Sequence, residues 1–168
     1  MMSQNNQWNK IKKLIEKSNK ILISSHISPD GDNLGSAIAL KLILEQLGKK
    51  VKVVLDDDIP SSFSFLADID TIQKYEEGLN IDFDISFVID CSNLERIGGV
   101  IELIENKEIV NIDHHGDNPY FGDYNLVQDV AATGELVYKL IEKLPEVELT
   151  TDIATSLATA LITDTGSF

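Results

Sequence analysis

DISFVID, residues 84 to 90, is too short and too rich in β-branched residues for a helix. It reads as a strand buried on both faces, which is what a parallel sheet covered by helices provides. Working outward, Trp8, Ile11, Leu14 and Ile15 fall at helical spacing and predict an amphipathic helix over 6–18, leading into the strand KILISS at 20–25. A second helix runs from Leu34 to Leu47, with Leu34, Ile38, Leu42 and Leu47 around one side and Gly48 as its stop. VKVVL, 51–55, is a short strand, and DDDIPSS, 56–62, is a turn. Beyond residue 90 come a helix around 94–105, the strand EIVNI at 108–112, a short strand at 124–127, and the helices ATGELVYKLIEKL and TTDIATSLATALIT. Strand and helix alternate at short intervals, so the expected fold class is α/β, a mainly parallel β-sheet flanked by helices. With no repeat or linker, residues 1–168 form one unit.

The chain has 168 residues, 43% of them hydrophobic, enough for one domain with a proper core. Lysine and arginine number 14 against 28 acidic residues, a formal net charge of −14. That balance excludes a non-specific grip on long duplex nucleic acid, which needs a basic face. It fits either simple solubility or carboxylates clustered to bind divalent cations. The single cysteine, Cys91, makes an intramolecular disulfide impossible and points to a cytoplasmic location. No stretch has the apolar length of a signal peptide or a membrane span, so no membrane partner is expected.

In open α/β sheets, ligands bind beyond the carboxyl ends of the strands. Three of the predicted strands end in residues that bind metals: His26, Asp30 and Asp32 after the first, Asp90 after the third, and Asp113, His114 and His115 after the fourth. Asp164, in LITDTGSF, ends the last helix and is a further candidate. Imidazole with carboxylate suits a divalent first-row ion such as Mn²⁺. Two such ions about 4 Å apart can share a carboxylate for phosphoryl chemistry, and Asp90 stands alone at a central strand end. Each piece also has a structural reading: Ser28-Pro29-Asp30-Gly31 is a good turn, and Asp32, Asp90 or Asp164 could serve as caps. All three histidines, however, fall at just two strand ends. Cys91 reads as a buried packing residue, and Gly98-Gly99 as a break or a close contact. Thr133-Gly134-Glu135 opens a helix, either as a simple cap or with backbone N–H groups presented to an anion.

At these residues the sequence resembles the DHH phosphoesterases, named for the triplet that stands here as Asp113-His114-His115. The motifs SHISPDGDNLGS, FVIDCS, NIDHHGDN and LITDTGSF appear in the family's order. The PDGD form and the segment NPYFGDYNLVQDVAATGELVY look most like the branch that degrades very short RNA oligonucleotides and dephosphorylates 3′-phosphoadenosine 5′-phosphate. The resemblance implies that His26 and Asp30 bind one Mn²⁺, that Asp32, His114 and Asp164 bind a second, and that Asp90 bridges both. Mg²⁺ or Co²⁺ would be substitutes. Asp113 would orient a histidine from behind, and His115 would face the scissile phosphate. Members of this branch carry a second domain, DHHA1, that holds the nucleotide. It is absent here, so the chain is expected to be a fragment with impaired substrate affinity. One class of inorganic pyrophosphatase resembles the same domain, and a metal-binding module without turnover is the alternative outside enzymes.

Overall fold

The computed structural model describes residues 4–167, which form one sheet with helices on both faces. The first helix, α1 (Gln4–Lys17), leads into β1 (Lys20–Ser24), α2 (Gly31–Gln46) and β2 (Lys50–Leu55). Two 3₁₀ turns and a two-residue strand, β3 (Gln73–Lys74), precede β4 (Ile85–Ile89). A 3₁₀ segment (Leu94–Val100), α3 (Ile101–Ile104), β5 (Ile109–Asp113), β6 (Tyr124–Val127), α4 (Thr133–Ile141) and α5 (Thr151–Asp164) complete the order.

The strands lie in the order β3-β2-β1-β4-β5-β6, and every pairing is parallel. From β1 the chain builds outward to β2 and β3, then returns to start β4 on the other side. The switch point between β1 and β4 is where such sheets bind ligands, because the flanking loops part there. Ser24 pairs with Val88, so His26 and Asp90 each follow two residues beyond the same rung. Ile89 pairs with Ile112, which puts Asp90 level with Asp113.

One face of the sheet, with Ile21, Ile23, Val53, Phe87 and Ile112, packs against α1, α2, α4 and α5. The other, with Leu22, Val54 and Val88, packs under the 3₁₀ segment and α3 through Ile97, Val100 and Ile104. Trp8, Ile11, Leu14 and Ile15 are all buried, as their spacing predicts. β4 is buried along its whole length, as expected for DISFVID.

Three local readings change. The second helix begins at Gly31 rather than Leu34, and Asp30 is its cap, accepting from Asn33 N–H at 3.0 Å. That helix is also buried around most of its circumference, because Leu34 and Ile38 form a separate cluster with Leu55, at the end of β2, and Leu66. The expected helix at 94–105 is broken at Gly98, whose φ of 61° is left-handed. Close packing causes the break: a Cβ on Gly98 would lie 2.3 Å from the Asp56 carboxylate, and Gly99 N–H donates to that carboxylate at 3.1 Å. β3 carries no sequence signal of its own. It is a short edge strand held by β2. Gly48, with φ 74°, ends α2 as expected, donating to Glu45 C=O while Lys49 N–H donates to Leu44 C=O. No helix among the described residues is long and apolar enough to cross a membrane.

Candidate metal centre

The loop after β1 carries His26 and Asp30 to the switch point, and the first turn of α2 carries Asp32. Asp30 caps that helix through one oxygen, which leaves its other oxygen 3.7 Å from His26 Nε2. Asp90 follows β4 with a left-handed φ of 50°, a conformation that costs energy in any non-glycine residue but is tolerated best by Asp and Asn. One Asp90 oxygen lies 3.4 Å from His26 Nε2 and the other 3.6 Å from His114 Nε2. His114 Nε2 also lies 3.7 Å from Asp32 and 3.5 Å from Asp164. Two donor sets therefore meet at the strand ends: His26, Asp30 and Asp90, and Asp32, His114 and Asp164 beside Asp90. His26, Asp32 and Asp90 are buried, whereas Asp164 is about a third exposed at the rim.

His114 Nε2 tests whether this arrangement fits a metal. It is buried without a hydrogen-bond partner, yet three carboxylates surround it at distances too long for hydrogen bonds. Donors about 2.1 Å from a first-row ion stand about 3 to 3.5 Å apart, so nitrogen and carboxylates are spaced as ligands rather than as bonded partners. The opposite ring atom, Nδ1, is held 3.2 Å from Val130 C=O, which orients the ring. The donors fit a divalent ion that accepts imidazole and carboxylate together.

Asp32 is the most constrained of the carboxylates. Thr133 and Gly134 N–H donate to its two oxygens at 2.7 and 3.0 Å, and Ser36 Oγ donates at 2.8 Å. The amino terminus of α4 is thus an anion cradle whose anion is a side chain of the same protein. The residue at the N-cap of α4, Ala132, has no side-chain acceptor of its own, so Asp32 fills that role from another helix. Thr133 Oγ1 also donates to Asp90 at 3.1 Å, so one residue steadies both carboxylates. Gly31, Gly35 and Gly134 let α2, α4 and α5 approach closely. A Cβ on Gly35 would lie 2.3 Å from Ser156 C=O, and one on Gly134 would lie 2.6 Å from Ala160 Cβ.

Burial and the Asp90 charge push the Asp32 pKa up to about 8, against the opposing pull of Thr133, Ser36 and Gly134. Burial also acts to raise Asp90, but the three histidines outweigh it and hold its carboxyl below the usual range. Asp164 is raised, chiefly by burial. For His26, burial favours the neutral ring, while the bonds to Asp90 and Ile27 C=O and the charges of Asp90 and Asp30 prevail and raise its pKa. Divalent ions bound among these donors would offset the repulsion between the clustered carboxylates.

His115 forms a third candidate group with Asp90 and His114, its Nδ1 3.9 Å from Asp90, but its nearer partner is Asp113. Its Nδ1 lies 2.7 Å from Asp113 Oδ1, and its ring is a third exposed, with the centroid 4.6 Å from that of His114. Asp113 is fully buried at the end of β5. The structure therefore gathers all eight residues singled out in the sequence, and the histidine that Asp113 holds is His115. Cys91 is buried, donates to Asn93 C=O, and has its thiol pushed up to about 11 by burial, which excludes it as a thiolate nucleophile. Sequence reasoning missed Ser36, Asn111 and Asn118. Asn111 had a signal: a carboxamide in the middle of an apolar strand, here Ile109–Asp113 and buried throughout, needs buried partners. A hollow of about 400 Å³ among Lys20, Lys50, Lys52 and Phe83 lies at the other, amino-terminal edge of the sheet.

The sequence pattern of the DHH family, N-terminal domain, matches residues 20–162. The bifunctional oligoribonuclease and PAP phosphatase NrnA of Thermus thermophilus is 36% identical over 153 residues, covering 88% of this chain and 44% of that protein. A probable manganese-dependent inorganic pyrophosphatase of Enterococcus faecalis is 24% identical over 149 residues, covering 87% of this chain and 48% of that protein. The crystal structure of an exopolyphosphatase-related protein from Bacteroides fragilis superimposes with a TM-score of 0.89 at 26% identity, covering 98% of this chain and 51% of that one. The chain thus spans about half the length of the relatives it matches. The match across most of the sequence, on a parallel sheet whose strand ends gather Asp113, His114 and His115 with their partner carboxylates, shows that the chain belongs to the DHH family as its N-terminal domain.

Proposed function

We propose that this domain carries the catalytic centre of a metal-dependent phosphoesterase that hydrolyses short oligoribonucleotides and 3′-phosphoadenosine 5′-phosphate. The observation that carries the proposal is the pair of donor sets sharing Asp90 around the unpartnered His114 Nε2. The first ion would be held by His26, Asp30 and Asp90, and the second by Asp32, His114, Asp164 and Asp90. Mn²⁺ is the expected metal, with support from the name of the E. faecalis relative and from the donor chemistry. When bound, the ions neutralise charge on the phosphoryl oxygens and lower the pKa of the attacking water.

The residues of the chain supply orientation. Thr133 and the α4 amino terminus fix Asp32 and Asp90, so the donors are preorganised. With Nδ1 held by Asp113, His115 has Nε2 left to contact the scissile phosphate or to protonate the leaving oxygen. The substrate assignment leans on the T. thermophilus relative. The domain is acidic, so basic contacts to nucleotide are expected from the DHHA1 domain of a longer protein, and the isolated domain should bind substrate weakly.

The test is hydrolysis of a dinucleotide, adenosine bisphosphate and pyrophosphate by the full polypeptide that carries this domain, with Mn²⁺ added. Turnover of the first two supports the proposal. Preferential turnover of pyrophosphate overturns it. Two bound ions with no turnover of any substrate leave the metal-binding module as the correct reading.

A further inference from the structure

Behind His115 lies a buried polar chain that the ligand sets do not use. Asp113 divides its two oxygens: Oδ1 faces His115 Nδ1 at 2.7 Å, and Oδ2 accepts from Asn118 Nδ2 at 2.6 Å. Asn118 Nδ2 also donates to Asn111 Oδ1 at 2.8 Å and reaches Cys91 C=O at 3.4 Å. Asn111 in turn donates through Nδ2 to Val88 and Cys91 C=O at 3.1 and 3.2 Å. The Asn118 amide is oriented without ambiguity, because its Oδ1 accepts from Tyr120 N–H at 2.7 Å while its nitrogen meets acceptors only. Asn111 and Asp113 are fully buried, and Asn118 is nearly so.

We propose that Asn118 is a positioning residue, which fixes the Asp113 carboxylate so that His115 is held with Nε2 toward the substrate phosphate. The inference rests on the role given to His115 above. A carboxylate anchored at one oxygen could pivot and carry the imidazole with it. Held at both, it lies in one plane, and the ring it binds has one orientation. Shaping the loop would not require a donor aimed at Asp113, because Asn118 N–H already bonds His115 C=O and its Oδ1 holds Tyr120. Asn111 sets the other end of the chain from the backbone of Val88 in β4 and of Cys91 just beyond it, so the orientation of His115 is referred to the rigid sheet.

Asn118→Leu, close in volume and without donors, is the test, run in the full polypeptide. We expect kcat on dinucleotide to fall about tenfold or more, with KM and bound Mn²⁺ per chain unchanged. Adding Asn118→Leu to Asp113→Asn should cost nothing further. In ¹⁵N-histidine spectra of the metal-free protein, the His115 Nδ1–H should exchange faster in the variant, while the His26 and His114 signals stay in place. Additive losses in the double variant, loss of metal, or an unchanged His115 signal would overturn the proposal. If Asn118→Leu does not fold, Asn118→Ser, too short to reach Asp113, must give the same results. If wild-type protein hydrolyses none of the substrates, the functional reading falls, and the His115 exchange rate still decides whether Asn118 holds Asp113.

Discussion

Asp164 is poorly placed for stability. A carboxylate in the last turn of a helix opposes the negative end of the helix dipole, and no basic residue shares that turn of α5. The Asp164→Asn variant should therefore be more stable without metal, by up to about 1 kcal/mol, and should bind one ion fewer per chain. Calorimetry and elemental analysis on the same sample would check both halves. Asp32 gives a pH dependence. Its folded pKa, pushed up to about 8, lies above its ordinary value of 3.8, so in that window the native state holds a proton that the unfolded chain releases. Stability of the metal-free protein should fall as pH rises from about 4 to about 8, and metal or Asp32→Asn should flatten that slope. Urea denaturation at a series of pH values would measure it. At this scale the site was readable to an unusual degree, because metal-binding side chains at three strand ends are a coincidence that turn chemistry does not produce. The Thr133 contact to Asp32 was not readable, because it depends on where α4 meets α2, 101 residues apart in sequence, whereas Ser36 lies one turn from Asp32 on the same helix and was overlooked.

Elements bring the two donor sets together through glycine. The α2–α5 contact is closest at Gly35, where backbone meets backbone, and it delivers Asp164 beside the first turn of α2. Gly35→Ala should cost about 1–3 kcal/mol by overpacking. It should also weaken the second ion more than the first, since only the second draws a ligand from α5. Isothermal titration with Mn²⁺ would separate the two affinities. The strands were legible because β4 and β5 are short, mainly apolar and rich in β-branched residues, and both are buried along their whole length, as helices covering both faces require. Of the region 56–83 only residues 56–62 were read, as a turn. Its 3₁₀ turns and β3 take their shape from neighbours, as when Lys41 of α2 pairs with Asp68 at 2.5 Å. The break at Gly98 was announced by the Gly98-Gly99 pair, but its partner, Asp56, was not.

On the scale of the molecule, an acidic domain with carboxylates crowded at one edge of its sheet should depend on cations for much of its stability. At a hundred times its Kd, a single ion adds about 2.7 kcal/mol, which for a chain of this size raises Tm by roughly 5 to 10 °C. Chelation should reverse the shift, and differential scanning fluorimetry with and without chelator would show it. The overall α/β class followed from alternation alone, whereas the strand order did not, because each crossover must choose a side of β1. The proposed donors also define an order in time. The first, His26, and the last, Asp164, lie toward opposite ends of the described chain, so during synthesis on a ribosome the proposed second donor set cannot assemble until α5 has emerged and docked. If the two sets hold ions as proposed, a nascent chain that stalls before residue 164 has the first set and lacks the second, and occupancy of the second ion would be a chemical record that the domain was translated through its final helix.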